Sequence, residues 1–183
     1  IERCLESVKW ADEVIVVDSG STDKTLEVCQ TYHCKIIESE WLGFGLTKQI
    51  GVNAASNDWV LSIDADEEVT KELKDQILEL TQSTEFHAFS IKRVSYYLKK
   101  RIKYSGWQTD YPLRLFNKQY GNFNDASVHE SVVIDSKNTS SIQALLYHYP
   151  YQSISSHIGK INLYTQLGAE KLFNTGKKTT LIY

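Results

Sequence analysis

Methionine is absent from this 183-residue chain, proline occurs only twice and cysteine three times. Without an initiator, and opening directly on the helix-like pattern Ile1-Glu2-Arg3-Cys4-Leu5-Glu6-Ser7-Val8, the sequence reads as a stretch of a longer protein, and no signal peptide is read at its start. Two prolines and nine glycines leave little material for linkers, so one domain over residues 1–183 is expected. Cys4, Cys29 and Cys34 are odd in number and show no C-x-x-C spacing, which argues against a disulfide framework or a zinc ribbon and for a reducing, cytoplasmic setting. No apolar run approaches the roughly 20 residues that cross a bilayer. A net charge of -3 excludes the strongly basic balance of a dedicated nucleic-acid binder. What is present, 42% hydrophobic and 23% charged residues, is the balance of a globular chain.

In the first half, strand and helix patterns alternate. Val14-Ile15-Val16-Val17, Lys35-Ile36-Ile37-Glu38 and Asp58-Trp59-Val60-Leu61-Ser62-Ile63 are short runs typical of buried strands. Helices are expected over residues 1–9 and 24–31 (the second capped by Asp23), after Gly43 and Gly45, and over 70–82, where Leu73, Ile77 and Leu80 form one stripe. This alternation predicts an α/β fold with parallel strands in this half. Beyond residue 85 the pattern turns β-rich: strands are expected from Phe86 to Leu98, at Pro112–Phe116, Ser131–Ile134 and Ile142–Tyr149, and a final helix over 153–173. The change at residue 85 reads as a change of layer within one domain.

Two acidic loops each follow a buried strand. Asp64-Ala65-Asp66-Glu67-Glu68 sets two carboxylates either side of one residue, so a turn can aim both at a hard cation such as Mg²⁺ or Mn²⁺. The alternative is a solvated acidic start to the helix that follows. Asp18-Ser19-Gly20-Ser21-Thr22-Asp23 can accept hydrogen bonds from a ligand, or can simply be a good strand-to-helix turn. Ligands of parallel sheets gather at the carboxyl ends of the strands, where both loops fall. Residues 92–109 contain six basic and four aromatic residues and no acid, the pattern of a surface that meets an anionic partner or of a solvated strand face.

The segments V-V-D-S-G-S-T-D-K-T, W-L-G-F-G and D-W-V-L-S-I-D-A-D-E-E resemble the family 2 glycosyltransferases of GT-A fold. Gly106-Trp107-Gln108-Thr109-Asp110, Arg114-Leu115-Phe116 and Val128-His129-Glu130 are similar to the bacterial branch that includes lipopolysaccharide- and lipooligosaccharide-core glucosyltransferases. The resemblance implies a Rossmann-like mixed sheet flanked by helices, with residues 1–85 as the nucleotide-sugar-binding half and 86–183 as the acceptor side. It also implies an inverting transferase that takes a nucleotide sugar, UDP-glucose first among the candidates, and a divalent metal. An opening strand with an Asn-Glu pair precedes the corresponding segment in that family and is expected to be missing from this stretch.

Carried onto this sequence, the resemblance puts Asp18 at the uracil or ribose, Asp64 near ribose and metal, and Asp66 on the metal at the diphosphate. Lys48 would face the diphosphate, although Thr47-Lys48-Gln49 departs from the family's Gln-Lys-Asn, and an exposed helix face is the other reading. Transfer needs a base for the acceptor hydroxyl and positive charge on the departing diphosphate. Asp110 is the leading base and Glu130 the competitor, with Arg114 as the cation. His148 is a candidate third metal ligand or else a histidine packed among tyrosines. The implied acceptor is a bacterial surface glycolipid or polysaccharide, reached from the cytoplasm with peripheral contact to the inner membrane through Lys92, Arg93, Lys99, Lys100, Arg101 and Lys103; no nucleic-acid partner is expected. Haloacid-dehalogenase phosphatases also carry D-x-D after a strand, but Glu68 stands where they need Thr or Val. The non-enzyme alternative is a nucleotide-sugar-binding or assembly module without turnover.

Overall fold

A computed structural model describes residues 1–104, 110–125, 130–151 and 153–176, the Lys171 side chain excepted. Helix α1 (Glu2–Val8) leads to β1 (Ile15–Asp18), α2 (Thr25–Thr31), β2 (Lys35–Glu38), α3 (Phe44–Ala54) and β3 (Trp59–Leu61). Then come β4 (Glu67–Val69), α4 (Lys71–Gln82), β5 (Ala88–Tyr97), β6 (Lys100–Arg101), β7 (Leu113–Asn117), β8 (Asn122–Phe123), β9 (Val132–Val133), β10 (Thr139–Tyr151) and α5 (Ile154–Asn174).

The principal sheet has the order β3-β7-β5-β10-β4, with β6 folded back on the end of β5. It is mixed: β5 and β10 run parallel, and the other pairs are antiparallel. β1 and β2 pair in parallel, as alternation predicts, but β3 pairs with β7 instead, and antiparallel. Between β1 and β3 lies a cleft of about 680 Å³, whose lining runs from Val14–Val17 and Trp59–Ile63 to Thr47, Lys48 and Asp64.

The core forms where α1 and α4 cover this sheet. Val8, Val69, Leu73, Ile77, Phe89, Ile91, Leu115, Ile142 and Leu146 are buried together, each large aliphatic side chain contributing about 1.5–3 kcal/mol. Thr70 caps α4: its hydroxyl accepts from Leu73 N at 3.2 Å and donates to Leu145 O at 2.8 Å, which ties the helix start to β10. The strand β4 was not expected, because Glu67-Glu68-Val69 lacks the composition of a strand; it forms by adding to β10, with Glu67 opposite His148. Gly45 lies inside α3 rather than before it, since the helix starts at Phe44.

Two residues of β10 bulge between the pairs Ile142–Ile91 and Leu145–Lys92, and this shift sets His148 beside Ser95. At the other end of β5, Leu98 and Lys99 turn the chain at φ 45° and 68°, the left-handed twist that suits a two-residue hairpin. No helix of the described residues is long and apolar enough to cross a membrane.

Candidate active site

After β3 the chain turns back at Asp64–Glu67. The turn is closed from both sides: Glu67 N donates to Asp64 O at 2.9 Å, and Asp64 N donates to Glu67 Oε2 at 2.9 Å. β4 then holds Glu67 against β10, while α3 brings Lys48 and β7 brings Arg114 to the same place.

The charged groups that meet there alternate in sign. Glu130 Oε1 accepts from Lys48 Nζ at 2.6 Å, and the same nitrogen lies 2.8 Å from Asp64 Oδ1. Asp64 Oδ2 accepts from Arg114 Nη2 at 2.5 Å, and that nitrogen also reaches Glu67 Oε1 at 2.7 Å. Glu67 Oε1 accepts again from Arg93 Nη1 at 2.9 Å, and Arg93 donates from Nε and Nη2 to Asp110 Oδ2, each at 2.7 Å. Four carboxylates and three cations thus form one line from Glu130 to Asp110. Burial alone would raise the Asp64 carboxyl, but Arg114 and Lys48 hold it well below the usual carboxylate range. Burial alone would likewise lower the Arg114 guanidinium, and Asp64 with Glu67 outweighs it and pushes it up.

Asp66 stands beside this line. Its backbone oxygen accepts from Tyr149 N at 2.8 Å, and its carboxylate lies 3.6 Å from His148 Nε2 and 3.4 Å from Lys160 Nζ on α5. His148 Nδ1 is 3.0 Å from the Ser95 hydroxyl. Burial, aided by Arg93, keeps the His148 pKa below its ordinary value against the opposing pull of Asp66, so the neutral ring is favoured.

Of the sequence candidates, Lys48, Asp64, Arg114, Glu130 and Asp110 are joined in one network, and Asp66 with His148 flanks it. Asp18 does not join them. Its Oδ2 accepts from Gly20 N and Ser21 N, each at 3.0 Å, and the Ser21 hydroxyl donates to Oδ1. These bonds, that of the Ser21 hydroxyl first, lower its pKa against the effect of burial. Gly20, at φ 98°, supplies the left-handed turn that lets its N–H face the carboxylate. Residues 105–109 and 126–129, with Trp107 and His129, lie outside the described residues.

Three side chains of the site were not singled out by sequence. Glu67 reads only as part of the acidic segment after β3, Arg93 as one more base in a basic stretch, and Lys160 falls within the expected final helix without being singled out. A period-two signal for Arg93 existed: it follows Phe89 and Ile91 on one face of β5, both of which are buried.

Among the described residues, no group of three or more His, Cys, Asp or Glu side chains stands close enough to hold a metal ion. Both Asp64 oxygens are taken by Lys48 and Arg114. Asp66 Oδ1 and His148 Nε2 lie 3.6 Å apart, a carboxylate oxygen and an imidazole nitrogen of the types that bind divalent cations, with Lys160 on the other carboxylate oxygen.

The model of the family described as "Glycosyl transferase family 2" matches residues 1–149. The chain belongs to glycosyltransferase family 2. An uncharacterised glycosyltransferase of Rickettsia prowazekii is 37% identical over 97% of this chain and 65% of its own length. The lipopolysaccharide core biosynthesis glycosyltransferase LpsC of Rhizobium meliloti is 28% identical over 96% of this chain and 68% of its own. The chain spans about 65% of the length of the rickettsial relatives. Among solved structures, Staphylococcus aureus TarS in complex with UDP-GlcNAc aligns with a TM-score of 0.57 at 18% identity, over 84% of this chain and 56% of that one. That likeness carries the fold: a mixed sheet flanked by helices, of GT-A type.

Proposed function

We propose that this chain carries the catalytic centre of an inverting hexosyltransferase. It moves glucose from UDP-glucose onto a bacterial surface glycolipid or polysaccharide, such as lipopolysaccharide core, with Mg²⁺ or Mn²⁺. The observation that carries this reading is the convergence of Lys48, Asp64, Asp66, Arg114, Asp110 and Glu130 at one edge of the fold in a family 2 chain. The similarity to LpsC supports the acceptor class, and the UDP-sugar complex of TarS supports the donor class.

In this reading Asp66 and His148 would hold the cation, which would supply positive charge for the departing diphosphate. Asp64, locked by Lys48 and Arg114, orients the donor, and Lys48 and Arg114 add positive charge beside it. The base takes the acceptor hydroxyl proton while that oxygen attacks the anomeric carbon on the face opposite the diphosphate. Asp110 suits this better than Glu130 because its side chain is 36% exposed against 18%, which leaves it the more accessible to an acceptor. The exposed Lys99, Lys100 and Arg101 at the β5–β6 hairpin, with Lys103 beyond it, face an acidic acceptor or the anionic leaflet that carries it.

UDP release from a panel of UDP-hexoses, with and without lipopolysaccharide-core acceptor and with Mn²⁺ or excess chelator, tests the proposal. Acceptor-dependent release that chelator abolishes is expected. UDP binding without turnover on any acceptor would mark a binding module instead, and turnover undiminished by chelator would remove the metal from the account.

A further inference from the structure

We propose that Glu67 is a positioning residue that ties the donor end of the site to the acceptor end. The proposal rests on the reading of Asp110 as base and of Asp64 with Arg114 as donor-holding groups.

The Glu67 side chain is fully buried, so it cannot touch a substrate. Its carboxylate is nevertheless saturated with donors. Oε1 accepts from both Arg93 and Arg114, at 2.9 and 2.7 Å, and Oε2 accepts from Asp64 N at 2.9 Å. Each of these guanidinium groups passes on to one functional carboxylate: Arg114 to Asp64, and Arg93 through two donors to Asp110. One buried oxygen is therefore the shared pivot of the two arms.

The backbone holds that pivot in place. Glu67 N donates to Asp64 O, and β4 pairs with β10, so neither the residue nor its carboxylate is free to follow a moving arginine. Remove its charge and two like-charged guanidinium groups face each other across a neutral group. Arg93, the more exposed of the two, is then the one to turn outward and release Asp110. A buried ionic centre is a poor device for stability alone, because apolar side chains of similar volume usually serve as well or better. Holding two planar donors at fixed angles is what a carboxylate does and a leucine cannot.

The test is a double-mutant cycle on glucosyl transfer, with calorimetric titration of UDP, both without metal and with Mn²⁺, on each variant. Glu67→Gln keeps the size and removes the charge. Misplacement of the reacting groups should lower kcat by about 10- to 100-fold, while melting curves show the variant folded. UDP affinity should weaken about three- to tenfold as Asp64 and Arg114 loosen. In an Asp110→Asn background the same substitution should cost less than about threefold further, because its route through Arg93 already ends on a crippled group. Glu67→Asp, which keeps the charge, should recover part of kcat. Should Glu67→Gln not fold, Arg93→Gln reads the same arm and should likewise lower kcat without adding to Asp110→Asn. Wild-type turnover combined with losses that multiply in full, or with UDP affinity unchanged in Glu67→Gln, overturns the role of Glu67 and leaves the transferase reading standing. A wild-type protein that turns over no UDP-hexose overturns both.

Discussion

The loops after β1 and β3 look alike in sequence, each a short acidic turn that ends a buried strand, yet they are built in opposite ways. Asp18 is satisfied within three residues of itself, by Gly20 and Ser21. Asp64, Asp66 and Glu67 are satisfied by Lys48, Arg93, Arg114 and Lys160, drawn from α3, β5, β7 and α5. A self-contained turn can present one carboxylate to a ligand without help. A loop that needs cations from four other elements fixes several charges relative to one another, which is what stabilising a developing charge requires.

The comparison predicts unequal sensitivity. Asp110→Asn keeps the shape of the side chain but cannot accept a proton, and general-base catalysis is worth about 10²–10⁴-fold, so transfer should fall by that much in steady-state assays. UDP affinity should hardly change. A collapse in Glu130→Gln with Asp110→Asn still active would move the base to Glu130. Next in size is stability: Arg114→Met leaves Asp64 and Glu67 without their shared cation, and breaking a buried pair costs about 3–5 kcal/mol. Asp18→Asn, which weakens only local hydrogen bonds, should cost about 1–2 kcal/mol. Urea unfolding of the two variants measures the difference, and equal losses would erase the distinction between the loops.

The contrast also explains what the sequence makes legible. Apolar runs such as Ile15–Val17 and the Leu73–Ile77 stripe announce buried elements by local pattern, and they appear in the structure close to where that pattern puts them. Asp64, Asp66, Lys48 and Arg114 could be singled out because they sit in recognisable motifs. Glu67 and Lys160 could not, and Arg93 only through the period of β5, since the pairs Arg93–Glu67, Arg114–Glu67 and Lys160–Asp66 span 26, 47 and 94 residues and only the pairing of β4 with β10, of β5 with β7 and the return of α5 bring them together. For the same reason β4 is silent in sequence: two glutamates and a valine become a strand only because β10 offers an edge.

Smaller effects sharpen the boundary of the site. Reversing the charges of Arg101 and Lys103 should leave unfolding free energy within about 0.5 kcal/mol. Each basic residue near an anionic surface is worth roughly 1 kcal/mol, so losing two should weaken transfer to a phosphorylated glycolipid by at least about 30-fold while donor hydrolysis is spared. If both activities fall together, the hairpin serves the donor site or the fold. A further effect is on acid stability. The Asp64 carboxyl is held below its unfolded value of about 3.9, so its contribution is present above that pH and is lost as pH falls through and below it. Thermal melts of Asp64→Asn should accordingly show a shallower decline than the wild-type protein below about pH 4.

The most direct test of the central claim, that the reacting centre lies at the loop after β3, is steady-state transfer by Asp66→Asn beside the wild-type protein, with UDP-glucose, Mn²⁺ and lipopolysaccharide-core acceptor. With one charge gone from the group that would face cation and diphosphate, the account predicts a lower kcat together with a raised KM for the donor. Wild-type values of both in Asp66→Asn would contradict it.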